Sequence, residues 1–119
     1  MLRRREDVER ALAPAAACAG GALEEYFTTA ELDYCAGRPG SLGARLLIKD
    51  CVFEHMASEL APRERRYHEV EITRNERMGP VLALFGVMEE RARRSAMKEI
   101  RVSISHSRNW IAGMVLFCY

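Results

Sequence analysis

The chain has no long hydrophobic run, and this absence is the first constraint on its class. No apolar stretch approaches the ~20 residues of a membrane-spanning helix, and the start lacks the pattern of a secretory leader. An excess of one charge is also missing, since 18 basic and 17 acidic residues leave a net charge of +1. A balanced chain creates no strong field, so the sequence predicts neither a nucleic-acid partner nor a membrane partner.

Cysteine is sparse and widely spaced. Cys18, Cys35, Cys51 and Cys118 form no C-x-x-C pair, which argues against a zinc site and against a disulfide framework. Cys51 and Cys118 lie among apolar residues and are predicted to be core thiols. Free thiols are typical of a reducing compartment, so we expect a cytoplasmic protein.

The chain does contain enough apolar residues to form one hydrophobic core. It contains 119 residues, of which 49% are hydrophobic, and residues 1–119 are therefore predicted to form a single domain. Helical spacing is found in Leu2–Ala13, Leu23–Phe27, Ala30–Cys35, Ser41–Leu60 and Val87–Lys98. Strand-like patterns are found in His68–Thr73, Val81–Phe85, Ile100–Ser105 and Trp110–Phe117.

The order of these segments predicts the fold class. The first two strands are close enough to form a hairpin, and the last two form a second pair, with Gly113 marking a bulge or a close backbone approach. The order along the chain is helices first, then a strand pair, one helix, and a closing strand pair. This order is typical of an α+β domain in which an antiparallel sheet packs on the long central helix.

The helix predicted over Ser41–Leu60 carries charge inside an apolar stripe. Its apolar face is formed by Leu42, Leu46, Phe53, Met56 and Leu60. Lys49 projects from the middle of that face, between Arg45 and Asp50 on its two sides. Burial of an unpaired ammonium is costly. Lys49 therefore either extends to the surface along its four-carbon stem or belongs to a functional site.

Two other polar groups have alternative interpretations. His106 follows an apolar strand and either caps the loop or binds a ligand. A serine–histidine–aspartate triad of Ser105, His106 and Asp50 is not supported, because no nucleophile-elbow sequence is present. The arginines of the turn after the long helix are predicted to be solvated, or to steer an acidic partner. They are Arg63, Arg65 and Arg66.

Three segments together resemble one enzyme family. Phe27–Cys35 has the pattern F-T-x-x-E-x-x-Y-C, Ser41–Asp50 has S-L-x-x-R-x-x-x-K followed by a carboxylate, and Val102–Ser107 contains V-S-I-S-H. In this order and spacing they resemble the holo-acyl-carrier-protein synthase type of 4'-phosphopantetheinyl transferase. The resemblance runs from about residue 6 to the end.

The resemblance implies a fold, an assembly and a reaction. Members of the family are α+β proteins that form trimers with active sites at the subunit interfaces. They transfer the phosphopantetheine arm of coenzyme A, with magnesium, onto a serine of an acyl carrier protein in fatty acid or polyketide biosynthesis. We therefore expect a transferase with coenzyme A and a carrier protein as partners.

Site residues follow from the matched positions. The resemblance makes Lys49 and Asp50 catalytic and Asp50 a magnesium ligand. It places Arg45, Lys49, Ser105 and His106 at coenzyme A. These roles are chemically reasonable, because magnesium and cationic side chains neutralise a diphosphate. Phosphoryl-type transfer depends on positioning and electrostatics.

The chain departs from the family pattern at the chemistry. The family opens with a strand that carries a second metal-binding aspartate, and alignment places that residue at or before Met1. Asp7 lies in the wrong segment to replace it. Asp50 stands where the family has a longer glutamate, and Glu54 stands where it has a lysine. An alternative is therefore a relative without transferase activity that binds a carrier protein or acyl-pantetheine, as an accessory subunit or with new chemistry.

Overall fold

The computed structural model describes residues 1–4, 23–36, 38–75, 77 and 79–119. The helices are α1 (Leu23–Tyr26), α2 (Thr29–Tyr34), α3 (Pro39–Met56) and α4 (Gly86–Arg94). The strands are β1 (Leu2–Arg4), β2 (Val70–Asn75), β3 (Gly79–Leu84), β4 (Glu99–His106) and β5 (Trp110–Cys118). Single 3₁₀ turns occupy Pro62–Glu64 and Tyr67–Glu69.

The strands form two antiparallel sheets. One has the order β1-β5-β4, and the other is the hairpin β2-β3. The predicted α+β class and the hairpin are confirmed, and Val70 and Ile72 both face the core as expected. In the described part of the chain, no helix combines the length and apolar character that crossing a membrane requires.

Helix α3 lies at the centre of the domain. Every residue in Gly43–Asp50 is buried, because the helix packs against β5 on one side and β2 on another. The expected single apolar face is therefore too narrow a description. The core around it contains Phe27, Leu47, Ile48, Val52, Phe53, Tyr67, Val70, Ile72, Met88 and Ile111.

Gly113 marks the point where α3 and β5 come closest. A Cβ atom there would lie 2.6 Å from Ile48 Cδ1 and 2.8 Å from Leu47 Cδ2. The pairing of β4 with β5 runs through this residue without an insertion, with Gly113 opposite Ile104. Of the two predicted roles, close backbone approach is the one observed, and no bulge is present.

The prediction of a first helix is wrong for its first residues. Leu2–Arg4 forms strand β1, which pairs with β5 so that Arg3 lies opposite Ile111. The edge of β5 offers backbone hydrogen bonds that a charged helix start would leave unused, and tertiary pairing of this kind overrides local propensity. Residues 5–13 of that predicted helix lie outside the described residues.

Several element ends differ from the prediction by a few residues. Helix α3 starts at Pro39 instead of Ser41, since proline is favoured at a first helical position, and it ends at Met56 instead of Leu60. His68 belongs to a 3₁₀ turn and not to β2. Helix α4 ends at Arg94, because Ala96 adopts a left-handed conformation with φ 59°.

Candidate active site

A cationic cavity of about 280 Å³ lies between the end of α2, the start of α3, and strands β2 and β4. Its basic lining residues are Arg38, Arg45, Arg74 and His106, and hydroxyl groups come from Tyr34, Ser41, Thr73 and Ser103. No carboxylate lines it among the described residues. We call this space the arginine cavity. Its charge suits an anionic ligand, because guanidinium groups bind phosphate oxygens through charge-assisted hydrogen bonds.

Tyr34 organises two of these arginines. The guanidinium carbons of Arg38 and Arg45 lie over its ring at 5.7 and 4.9 Å from the centroid, a favourable cation–π arrangement. Arg45 is buried and also donates from Nε to the carbonyl of Ile72 at 2.9 Å. Arg45 is therefore held rigidly, whereas Arg38 and Arg74 are exposed and accessible to a ligand.

His106 is the last residue of β4 and lies at the edge of the arginine cavity. The structure therefore brings together Arg45 and His106, two of the residues that the sequence predicted. Ser105, its neighbour on the strand, is exposed and is not among the lining residues. The hypothesis that His106 binds a ligand is consistent with its position at this cavity.

Lys49 lies in the core, away from the arginine cavity. Its Nζ donates to Glu31 Oε1 at 2.6 Å and to the carbonyls of Tyr26 and Tyr67 at 2.7 and 3.0 Å. The side chain is 0% exposed, so the interpretation that Lys49 reaches the surface is wrong. Burial lowers the pKa of Lys49, and the carboxylate of Glu31 opposes that shift. All three ammonium donors have acceptors within the protein.

Glu31 is the partner that sequence reasoning missed. Its carboxylate accepts hydrogen bonds from the backbone N–H groups of Thr28 and Ile72 as well as from Lys49. Thr28 and Glu31 form a capping box at the start of α2, and their T-x-x-E spacing is the signal that could have found it. The Glu31–Lys49 pair joins α2, α3 and β2, which are three walls of the arginine cavity.

Asp50 lies in a second polar cluster. Its Oδ2 accepts from Arg3 at 2.9 Å, and its Oδ1 accepts from Arg65 at 3.0 Å and from the Tyr67 hydroxyl at 2.7 Å. Burial, together with the carboxylate of Asp50, raises the pKa of Tyr67 to about 12. We call Arg3, Asp50, Arg65 and Tyr67 the Asp50 cluster.

The turn arginines are only partly as predicted. Arg63 and Arg66 are exposed, in agreement with a solvated turn. The side chain of Arg65 is 10% exposed because it lies on Asp50, so the prediction of a solvated group is wrong for this residue. Its Nε is buried with no hydrogen-bond partner among the described residues.

The residues that surround Asp50 do not form a binding site for a divalent cation. One carboxylate is already paired with two guanidinium groups, whereas magnesium takes oxygen ligands and is repelled by cations. The described residues contain no group of three or more histidine, cysteine, aspartate or glutamate side chains that could hold a metal ion. Asp7 lies outside the described residues, and Glu54 is exposed.

The arginine cavity and the Asp50 cluster lie on different sides of α3. Asp50 lies five positions after Arg45 on the helix, so their side chains project about 140° apart around the axis. Within one chain, Asp50 therefore does not join Arg45 and His106. Lys49 projects from the same side of α3 as Arg45, but it is bound in the core to Glu31 and does not line the cavity. The fold and the cavity define an α+β protein with a cationic cavity, suited to an anionic ligand, at the junction of its long helix and its two sheets.

Comparison with known proteins identifies the family. The chain is 31% identical over 94 residues to the holo-[acyl-carrier-protein] synthase of Dehalococcoides mccartyi, covering 79% of this chain and 76% of that protein. It is 34% identical over 97 residues to the synthase of Moorella thermoacetica, covering 79% and 74%. No family model matches the chain. The chain belongs to the holo-[acyl-carrier-protein] synthase family, as the three sequence motifs predicted.

Solved structures show the same fold. The holo-[acyl-carrier-protein] synthase of Helicobacter pylori in complex with coenzyme A matches with a TM-score of 0.76 at 14% identity, over 98% of this chain and 95% of that chain. At that identity the likeness concerns the fold alone. The likeness shows that this chain has the mixed helix and antiparallel sheet architecture of the solved synthase.

Proposed function

We propose that this protein transfers 4'-phosphopantetheine from coenzyme A to a serine of an apo acyl carrier protein and releases adenosine 3',5'-bisphosphate. Membership of the synthase family supports the reaction, and the arginine cavity is the observation that supports coenzyme A as the substrate. The alternative of a relative without transferase activity is not favoured by the comparisons, because the matched relatives are named as synthases.

The reaction needs two anionic phosphates to be held while one bond is exchanged. The serine oxygen attacks the phosphorus that carries the pantetheine arm, and the bond from that phosphorus to the nucleotide phosphate oxygen breaks. Arg38 and Arg74 are accessible to pair with phosphate oxygens, and Arg45 supplies a fixed charge behind them. Such preorganised cations stabilise the charge that develops on the leaving group.

A second, larger cavity continues from the first. It has a volume of about 720 Å³, lies between β3, β4 and α4, and shares Pro80 and Val102 with the arginine cavity. Its other lining residues are six apolar ones, Val81, Leu82, Leu84, Ala92, Met97 and Ile100, and four charged ones, Glu89, Lys98, Glu99 and Arg101. We place the extended pantetheine arm there, with its phosphates at the arginines, because this order matches charge to charge and apolar surface to apolar surface.

We also propose that the protein is a homotrimer with its active sites at the subunit interfaces. The outer face of the β1-β5-β4 sheet supports an interface, because Leu2, Met114 and Leu116 are 60%, 68% and 56% exposed there. An exposed apolar strip of this kind marks a contact surface. The catalytic roles of Lys49 and Asp50, the role of Ser105 at coenzyme A and the cytoplasmic location stay predictions from the sequence.

The test is transfer to a carrier protein. Purified protein is incubated with apo acyl carrier protein and coenzyme A, and mass spectrometry detects the added arm on the serine. Arg74→Glu is expected to weaken coenzyme A binding about tenfold or more, equivalent to 1.4 kcal/mol, because it reverses a charge at the arginine cavity. Arg94→Glu is the matched control, since Arg94 lies on the exposed face of α4 beside Glu90.

Two results would contradict the proposal. One is absence of transfer with every carrier protein tested, while coenzyme A still binds; that result would favour the alternative function. The other is equal coenzyme A affinity for both charge-reversal variants, which would remove the arginine cavity as the phosphate site.

A further inference from the structure

We infer that Arg3 pairs with Asp50 in place of a divalent cation, so that the Asp50 cluster binds no metal ion and its positive charge comes from the guanidinium groups of Arg3 and Arg65. The loss of metal binding rests on the geometry of the cluster alone. Its consequence, a transfer reaction that does not require magnesium, rests on the proposed function.

Strand pairing directs Arg3 toward Asp50. Side chains alternate along a strand, and Arg3 lies opposite the fully buried Ile111 of β5. Arg3 therefore faces α3, where its guanidinium donates to Asp50 Oδ2 at 2.9 Å. Arg4, the next residue, faces the other side of the sheet and lies over the Trp110 ring at 5.5 Å.

The charges of the cluster oppose a divalent cation. Asp50 contributes −1 and the guanidinium groups of Arg3 and Arg65 contribute +1 each, which gives a net charge of +1. Each oxygen of the carboxylate already accepts at least one hydrogen bond from these groups or from Tyr67. A metal ion would have to displace two arginines from Asp50, the one carboxylate of this cluster among the described residues.

The unpaired atom of the cluster has the wrong polarity for a metal. Arg65 Nε is a buried donor without an acceptor among the described residues. A buried donor is stabilised by an acceptor such as a phosphate oxygen or water. A cation would leave that donor unpaired and add repulsion. The side chain of Arg3 is 38% exposed, so part of its guanidinium also faces solvent.

The experiment measures Mn²⁺ binding to the full chain by the loss of the free-ion electron paramagnetic resonance signal. The wild type is expected to show no binding that depends on Asp50. Arg3→Asp pairs a second carboxylate with Asp50, and Mn²⁺ affinity should rise about tenfold or more with the added ligand charge. Arg4→Asp makes the same charge change on the opposite side of the strand and should leave Mn²⁺ affinity unchanged.

The double variant Arg3→Asp with Asp50→Asn tests whether the new Mn²⁺ site uses Asp50. Its Mn²⁺ affinity should fall back to that of the wild type. If Arg3→Asp does not fold, as judged by circular dichroism, Arg3→Asn supplies a neutral oxygen at the same position and is expected to show a smaller gain. The second measurement is transfer by the wild type in excess EDTA, which should continue at a rate comparable to that in magnesium.

Three results would overturn the inference. The first is Mn²⁺ binding by the wild type that Asp50→Asn or Asp7→Asn abolishes. The second is a folded Arg3→Asp or Arg3→Asn variant with no gain over Arg4→Asp. The third is transfer that stops in EDTA and returns with magnesium. Absence of transfer under all conditions would instead count against the proposed function, and the Mn²⁺ results would still decide whether Asp50 binds metal.

Discussion

Lys49 and Glu31 form an ion pair with no exposed surface where α2, α3 and β2 meet. Burial of the two charges costs solvation, and their contact at 2.6 Å, together with four hydrogen bonds to backbone groups, offsets that cost. Removal of one partner leaves the other as an uncompensated buried charge. Lys49 therefore positions the walls of the arginine cavity from within the core.

This pair predicts a large loss of stability for one substitution. Lys49→Met should lower the free energy of unfolding by about 3–5 kcal/mol, because it leaves the carboxylate of Glu31 as an unpaired charge in the core. The combined variant with Glu31→Gln should recover part of that loss. Urea unfolding measures both, and Lys98→Met, at an exposed site, is the control. Equal stability of Lys49→Met and the control would show that the pair contributes little.

Tyr67 predicts a pH dependence at the alkaline end. Burial and Asp50 raise its pKa to about 12 from an ordinary value of 10.0. Between these values the unfolded chain loses the phenolic proton first and binds fewer protons. Stability from Tyr67 is therefore fully present below pH 10 and is lost as the pH rises to about 12. The lowered pKa of Lys49 makes stability change with pH in the opposite direction. The contribution of Tyr67 is therefore isolated by comparing the wild type with a variant that lacks its hydroxyl.

The measurement compares the wild type with Tyr67→Phe. The difference in unfolding free energy between them should shrink as the pH rises above 10, and the tyrosinate absorbance of the wild type should include one group that titrates near pH 12. Asp50→Asn should lower the pKa of Tyr67, because it removes the charge that opposes ionisation and leaves the arginines. A Tyr67 pKa unchanged in Asp50→Asn would contradict the assigned cause.

At the scale of elements, the close contact of α3 with β5 depends on Gly113. Gly113→Ala would bring a methyl group within 3 Å of the ends of Leu47 and Ile48. Because those side chains can shift only within a packed core, we expect a destabilisation of about 1–3 kcal/mol. Thermal unfolding measures it. The strand pairing of β5 itself should survive, since the change acts on packing.

Gly40→Ala is the matched control for this prediction. Gly40 lies in the first turn of α3, and a Cβ there meets no atom within 4 Å. Alanine in a helix is favoured over glycine by up to about 1 kcal/mol, so this variant should be neutral or more stable. A Gly113→Ala protein as stable as Gly40→Ala would mean that the helix and the strand are not in tight contact.

At the scale of the whole molecule, the exposed apolar strip on β5 predicts the assembly state. Met114→Lys and Leu116→Lys should convert the proposed trimer into monomers, because each places a charge in the contact surface. Size-exclusion chromatography with light scattering gives the mass. Val87→Lys, at an exposed apolar residue of α4, is the control and should leave the trimer intact. A wild type that is monomeric at all concentrations would contradict the trimer.

Local patterns in the sequence predicted a substantial part of the fold. The helices around Leu23 and Ala30, the hairpin and the last two strands all follow from residues a few positions apart, and the structure confirms them. The start of the chain was mispredicted, because the partner that makes Leu2–Arg4 a strand lies at the other end of the chain.

The candidate site was less accessible to such reasoning. The sequence led to Arg45 and His106, which the cavity brings together, but it did not single out Arg38 or Arg74. Exposed arginines are common in any chain, and nothing in their local pattern distinguishes those that line a cavity. The family resemblance placed Lys49 and Asp50 at the chemistry, whereas their neighbours within this chain are Glu31 and two arginines.

By itself the sequence determined the family and the fold class, because three spaced motifs and the order of helices and strands are properties of the linear chain. Only the tertiary structure decided the surroundings of the charged residues. Arg3 meets Asp50 across 47 positions, and Lys49 meets Glu31 across 18. Electrostatic energy depends on distance and burial in space, and neither can be obtained from spacing along the chain.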